Sequence, residues 1–99
     1  MNIVKERNTD ALNIALEGRL DTVTAPELAA EVSAEALSGV TALTLDFSRL
    51  EYISSAGLRV LLSAQKIMNG QGSMVIKNVN DTIMEVFEIT GFVDILSVK

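Results

Sequence analysis

The stretch Phe47-Ser-Arg-Leu-Glu-Tyr-Ile-Ser-Ser-Ala-Gly-Leu-Arg-Val-Leu-Leu62 reads as the end of a strand, a short polar loop and the start of a helix. The helix is expected from about Ser54 to Asn69. Its polar face is narrow (Arg59, Ser63, Lys66), and Leu58, Val60, Leu61, Leu62, Ala64 and Ile67 cover the rest, so protein encloses it on most sides. Ser54 is placed to be the N-cap, accepting from first-turn N–H groups. Ile53 and Leu58 are placed for a hydrophobic staple across that cap, and Gly57 lets the turn pack closely. These roles leave Ser55 without a structural task. Tyr52, Ile53, Ala56 and Leu58 would then ring the two hydroxyls with an apolar rim of the kind that docks a partner.

Working outward, Thr41–Phe47 is expected as a strand with Leu43, Leu45 and Phe47 on one side and Ala42, Thr44 and Asp46 on the other. Upstream, Asn2–Glu6 and the alternating Ala11–Glu17 form a hairpin about the turn Asn8-Thr-Asp10. Gly18–Thr24 is expected as a loop entering a first helix. Thr24-Ala-Pro-Glu27 reads as its capping box, Leu28, Val32 and Ala36 as its inner stripe, and Gly39 as its stop. Glu27, Glu31 and Glu35 make a solvated acidic face. Downstream, Gly70-Gln-Gly72 ends the central helix and Ser73–Val79 is a strand. Asn80 or Asp81 caps a third helix with the stripe Ile83, Val86, Phe87 and Thr90, Gly91 stops it, and Ile95–Val98 is a short last strand. The order from Thr41 onward, strand–helix–strand–helix–strand, demands crossovers and parallel pairing. The expected fold is a single α/β domain over residues 1–99. Its mixed, mostly parallel sheet has about four to five strands, with helices packed against it.

The composition closes several function classes. The sequence has no Cys and no His, which removes disulfides, thiolate nucleophiles, the commonest general base and the commonest metal ligand. A net charge of −5 argues against nucleic acid or an anionic membrane as partner. The start of the chain lacks the apolar stretch of a signal peptide and no apolar run would span a bilayer, so the expected location is the cytoplasm.

Three motifs invite a chemical reading. Ser54-Ser55-Ala56-Gly57 sits between strand and helix like a nucleophile elbow, but Ile53 stands where that turn needs Gly, and no His is present to take the proton. Gly70-x-Gly72 follows a helix and precedes a strand, the reverse of a dinucleotide fingerprint. Asp46 is expected at the carboxyl edge of the sheet, where α/β folds place ligands, although an Asp there more often caps the adjacent loop.

Asp46 through Leu62 resembles the serine-containing signature of STAS domains, and among them that of the anti-sigma factor antagonists. Gly18-Arg-Leu-Asp21 is similar to the family's element before the first helix, Gly70-Gln-Gly72 to its glycine turn, and Phe87-x-x-Thr-Gly91 to the end of its third helix. The resemblance implies a small bacterial cytoplasmic protein that binds an anti-sigma factor with serine kinase activity and thereby frees a sigma factor. Phosphorylation of one serine releases it, and a PP2C-type phosphatase restores it. The acceptor lies two residues before the glycine, which carries it to Ser55. Ser54 stands where the family often has Asp, and the family's final helix is lacking before Lys99. Asp21, Thr24, Ser54, Gly57, Leu58 and Arg59 are the expected partner-binding residues. No catalytic activity, cofactor, metal, nucleic acid or membrane is implied. Two other readings share the fold class: an unphosphorylated STAS subunit of a transporter ATPase, and a small nucleotide-binding sensor using the sheet edge near Asp46.

Overall fold

The computed structural model describes Met1–Lys99. Strands β1 (Asn2–Asn8) and β2 (Ala11–Leu20) form the antiparallel hairpin. Helix α1 (Ala25–Glu31) leads to β3 (Ala42–Ile53), then α2 (Ser55–Asn69), β4 (Ser73–Lys77) and α3 (Asp81–Thr90), and a single 3-10 turn at Phe92–Asp94 follows. The sheet order is β1-β2-β3-β4, with β2–β3 and β3–β4 parallel. The expected mixed, mostly parallel sheet is therefore present with four strands.

Alternation decides which face is covered. Leu12, Ile14 and Leu16 of β2, Leu43, Leu45 and Phe47 of β3, and Met74 and Ile76 of β4 all point inward and join one core with Leu28, Leu61, Met68, Ile83 and Phe87 of the helices. Burying an aliphatic side chain of this size contributes roughly 1.5–3 kcal/mol each, which is what holds helices onto sheet. The opposite face carries Val4, Asn13, Glu17, Asp46 and Lys77 and meets solvent, with the Arg49 guanidinium pairing across it to Glu17 at 3.2 Å.

β3 runs on to Ile53, through the residues read as a loop. Two bulges explain the difference. Ala15 faces Asp46 but Glu17 faces Arg49, and Gly18 faces Leu50 but Arg19 faces Tyr52. Each bulge inserts one residue into β3 and shifts its side-chain phase. The buried positions thus become Phe47, Leu50 and Ile53, spaced by three instead of two. β2 lengthens to Leu20 to match, so Gly18–Leu20 is strand and not loop.

Other expectations are corrected locally. The capping box at Thr24 is absent: Thr24 makes no side-chain bond to the first turn of α1. Its hydroxyl donates instead to the Arg19 carbonyl (2.7 Å) and accepts from the Asp21 N–H (2.9 Å). The helix ends at Glu31, after which turns carry the chain to Leu37, which is fully buried where Ala36 was expected inside. Lys5 pairs with Glu31, so one residue of the acidic face is not merely solvated. Asp46 lies within β3 and not at a strand end. β4 stops at Lys77. Ile95–Val98 forms no strand, only a parallel bridge between Val98 and Ile76.

Candidate functional site

The start of α2 is built from the ends of β2 and β3. Ile53 is the last rung of the parallel pairing, facing Leu20. The next amide, Ser54 N–H, donates to the Leu20 carbonyl at 2.9 Å, so the cap residue is also tied to the sheet. Ser54 is extended (φ −100°, ψ 175°), and its Oγ accepts from the Gly57 N–H at a long 3.4 Å. This is the expected cap. Ser55 follows as the first helical residue, exposed, and its hydroxyl makes no hydrogen bond within the chain.

Gly57 is buried against Leu20 and Ile53. A Cβ there would stand 2.7 Å from Leu20 Cγ and 2.9 Å from Ile53 Cγ1, inside contact distance. Leu58 is only 6 % exposed and Ile53 3 %. The apolar rim expected around the serines is therefore corrected: of its four members, Tyr52 is exposed, Ala56 half-buried, and Ile53 and Leu58 belong to the core. Burial in the core leaves neither side chain free for a partner.

Beside this turn, the loop after Leu20 is folded by its own polar groups. The Asp21 carboxylate accepts from the N–H groups of Val23 (3.0 Å) and Thr24 (3.1 Å). The backbone donation from Thr24 is the main reason its carboxyl is held below the usual value; partial desolvation opposes this, and Arg19 assists at 4.0 Å. Asp21 and Thr24 thus lie together on the loop that leaves β2 beside Ser54, with Val23 at 82 % exposure between them. The Arg19 guanidinium lies over the Tyr52 ring, 4.3 Å from its centre. That stack was not legible in the sequence, because Arg19 and Tyr52 become neighbours only through the two bulges.

Arg59 is exposed one turn beyond Ser55 and lines a groove between α1 and α2 of about 390 Å³, with Ala29, Val32, Val60 and Ile67 among its walls. Asp46 is far from this cluster in function: on the open sheet face it accepts from Asn78 Nδ2 (3.0 Å) and from the Ser48 N–H (3.0 Å), and the Asn78 donation first of all lowers its pKa. Both bonds fall on Oδ1 and tie the residue after β4 to β3, a structural employment of that oxygen. No helix is long and apolar enough to cross a membrane.

A family model described as Mlab, STAS domain, matches residues 3–97. BtrV of Bordetella bronchiseptica, provisionally named an anti-sigma factor antagonist, is 38% identical over 99 residues, spanning 99% of this chain and 85% of BtrV. The anti-sigma-B factor antagonist of Listeria monocytogenes is 33% identical over 103 residues, spanning 100% of this chain and 90% of the relative. Among solved structures, the Bacillus cell fate determinant SpoIIAA in its phosphorylated form superposes with a TM-score of 0.77 at 23% identity, over 99% of this chain and 91% of that one. This last likeness is one of fold.

Proposed function

The chain belongs to the STAS-domain family, and on that premise we propose that it acts as a cytoplasmic anti-sigma factor antagonist whose binding is switched by phosphorylation of Ser55. The unphosphorylated form binds an anti-sigma factor that is also a serine kinase, and a sigma factor is freed. The curated relatives named as anti-sigma factor antagonists support the first half of this reading. The observation that carries the second half is the contrast between adjacent serines: Ser54 is occupied as the cap, while Ser55 is exposed and makes no bond.

In the transfer, Ser55 Oγ forms a bond to the γ-phosphorus of ATP, the bond to ADP breaks, and the hydroxyl proton passes to a base. This chain has no His and no acidic residue in the first turn of α2, so the base comes from the kinase. In this reading the chain serves as the kinase's substrate. A PP2C-type phosphatase would return the serine by hydrolysis to inorganic phosphate. The contact surface we assign is Asp21, Thr24, Ser54 and Arg59 around Ser55, with Gly57 and Leu58 supporting it from beneath. A phosphate there adds about −1.5 to −2 charges and a strongly hydrated group to the surface, without entering the core.

The test pairs the protein with the anti-sigma factor of its own source. With ATP, peptide mass spectrometry should place one phosphate on Ser55, and the complex should dissociate; Ser55→Ala should keep the complex intact with ATP present. Phosphate on Ser54, or none, refutes the site. Stable co-purification with an ABC-type ATPase in place of an anti-sigma factor refutes the function.

A further inference from the structure

The protein has four arginines, and three are employed. Arg7 donates to the carbonyls of Thr9 and Ser38, Arg49 donates to Glu17, and Arg19 stacks on Tyr52 beside Asp21. Arg59 is exposed and belongs to none of the three ion pairs, nor does it donate a hydrogen bond within the chain. No acidic residue occupies the first turn of α2. The only unengaged guanidinium in the molecule therefore stands four residues after an exposed serine on the same helix.

Side chains at i and i+4 of an α-helix are neighbours, about 5–6 Å apart at Cβ, and an anion N-terminal to a cation is the favourable order. A phosphoserine offers three acceptor oxygens to a planar fork of N–H donors. We propose that a phosphate on Ser55 is captured by Arg59, and that this pair draws the guanidinium off the α1–α2 groove it now lines. This rests on the phosphoserine reading above and adds a second consequence of the modification. The surface gains a dianion and at the same time loses its one free arginine, so a partner carboxylate seated over the groove would lose its counter-charge.

The experiment does not need the kinase. Phosphoserine is incorporated at position 55 during synthesis, in chains carrying Arg59, Arg59→Lys, Arg59→Gln or Arg19→Gln, and the phosphate is titrated by ³¹P NMR. The second ionisation should fall about 0.15–0.4 pH unit lower with Arg59 than with Arg59→Gln, as a helix-spaced charge pair requires. Arg59→Lys should recover part of the shift, Arg19→Gln should leave it unchanged, and salt near 1 M should erase most of it. Equal titrations for Arg59 and Arg59→Gln overturn the proposal, as does loss of the shift in Arg19→Gln instead. Because the phosphate is installed chemically, a kinase that ignores Ser55 would refute the functional reading while leaving this pairing decided on its own result.

Discussion

Ser54 and Ser55 share a side chain and an address but not an environment. Ser54 is bound at both ends, its N–H to Leu20 and its Oγ to Gly57, whereas the Ser55 hydroxyl has no partner. Ser54→Ala should therefore cost stability, about 0.5–1 kcal/mol in a urea melt, toward the low side for an N-cap because the 3.4 Å bond is long. Ser55→Asp should melt within about 1 kcal/mol of the parent, since an anion tolerates a helix N-terminus. It should nevertheless weaken anti-sigma factor binding. A Ser55→Asp protein that unfolds readily would mean that the residue is structural. The division between the two serines was legible in the sequence from the strand-to-helix turn alone. The fate of the rim was not: Ile53 and Leu58 read equally well as surface or core until the β2–β3 register is known, and Arg19 has no sequence cue pointing to Tyr52.

Among the elements, two glycines mark places where chain passes against chain. Gly57 packs α2 on Leu20 and Ile53 side chains; at Gly72 a Cβ would stand 1.9 Å from the Thr41 carbonyl oxygen, which also accepts from the Ser73 N–H at 2.9 Å. A side chain can shift by a rotamer, but a carbonyl engaged in the sheet cannot move without losing its bond. Gly57→Ala should thus cost about 1–3 kcal/mol, and Gly72→Ala should cost more than Gly57→Ala. Equal midpoints in parallel denaturant melts would contradict that ranking. The sequence reading had Gly57 as a close-packing turn glycine, which the short distances to Leu20 and Ile53 bear out, but it took Gly72 only as part of a helix stop and gave no hint of Thr41. Element boundaries failed where a second interaction overrode the local pattern. β3 outran its period-two signal because its bulges moved burial to every third residue. Thr24 left its capping role because Asp21 and Arg19 had prior use for its hydroxyl. The caps at Ser54 and Asn80 held, since nothing competes there: Asn80 Oδ1 accepts from the Ile83 N–H at 2.8 Å while its amide donates to the Leu50 carbonyl.

For the molecule as a whole, the α/β order and the inward faces followed from alternation, because one buried sheet face leaves a clear period of two in β2, β4 and the first half of β3. The open face was harder to foresee, since its polar residues could equally have met a helix. What the finished topology adds is the reach of its pairings. Leu12 faces Leu43 and Leu43 faces Met74, so each neighbour of β3 lies 31 residues away along the chain, whereas Asn8 faces Ala11 in the hairpin. Such distant pairings lose loop-closure entropy before any contact repays it, so topology of this kind governs the rate of folding. β3 is the strand both excursions must find, and its docking is the expected barrier. Leu45→Ala, fully buried between Ile14 and Ile76, should slow refolding, while Phe87→Leu on α3 should mainly hasten unfolding. Stopped-flow chevrons in urea separate the two limbs, and the same partition in both variants would refute this order of events. A newly made chain then acquires its serine turn only after the first excursion has closed, because Leu20 and Ile53 must meet before Ser54 has a carbonyl to bind. Assembly of the serine turn thus follows the meeting of β2 with β3, and is not set by the helix that bears the serine.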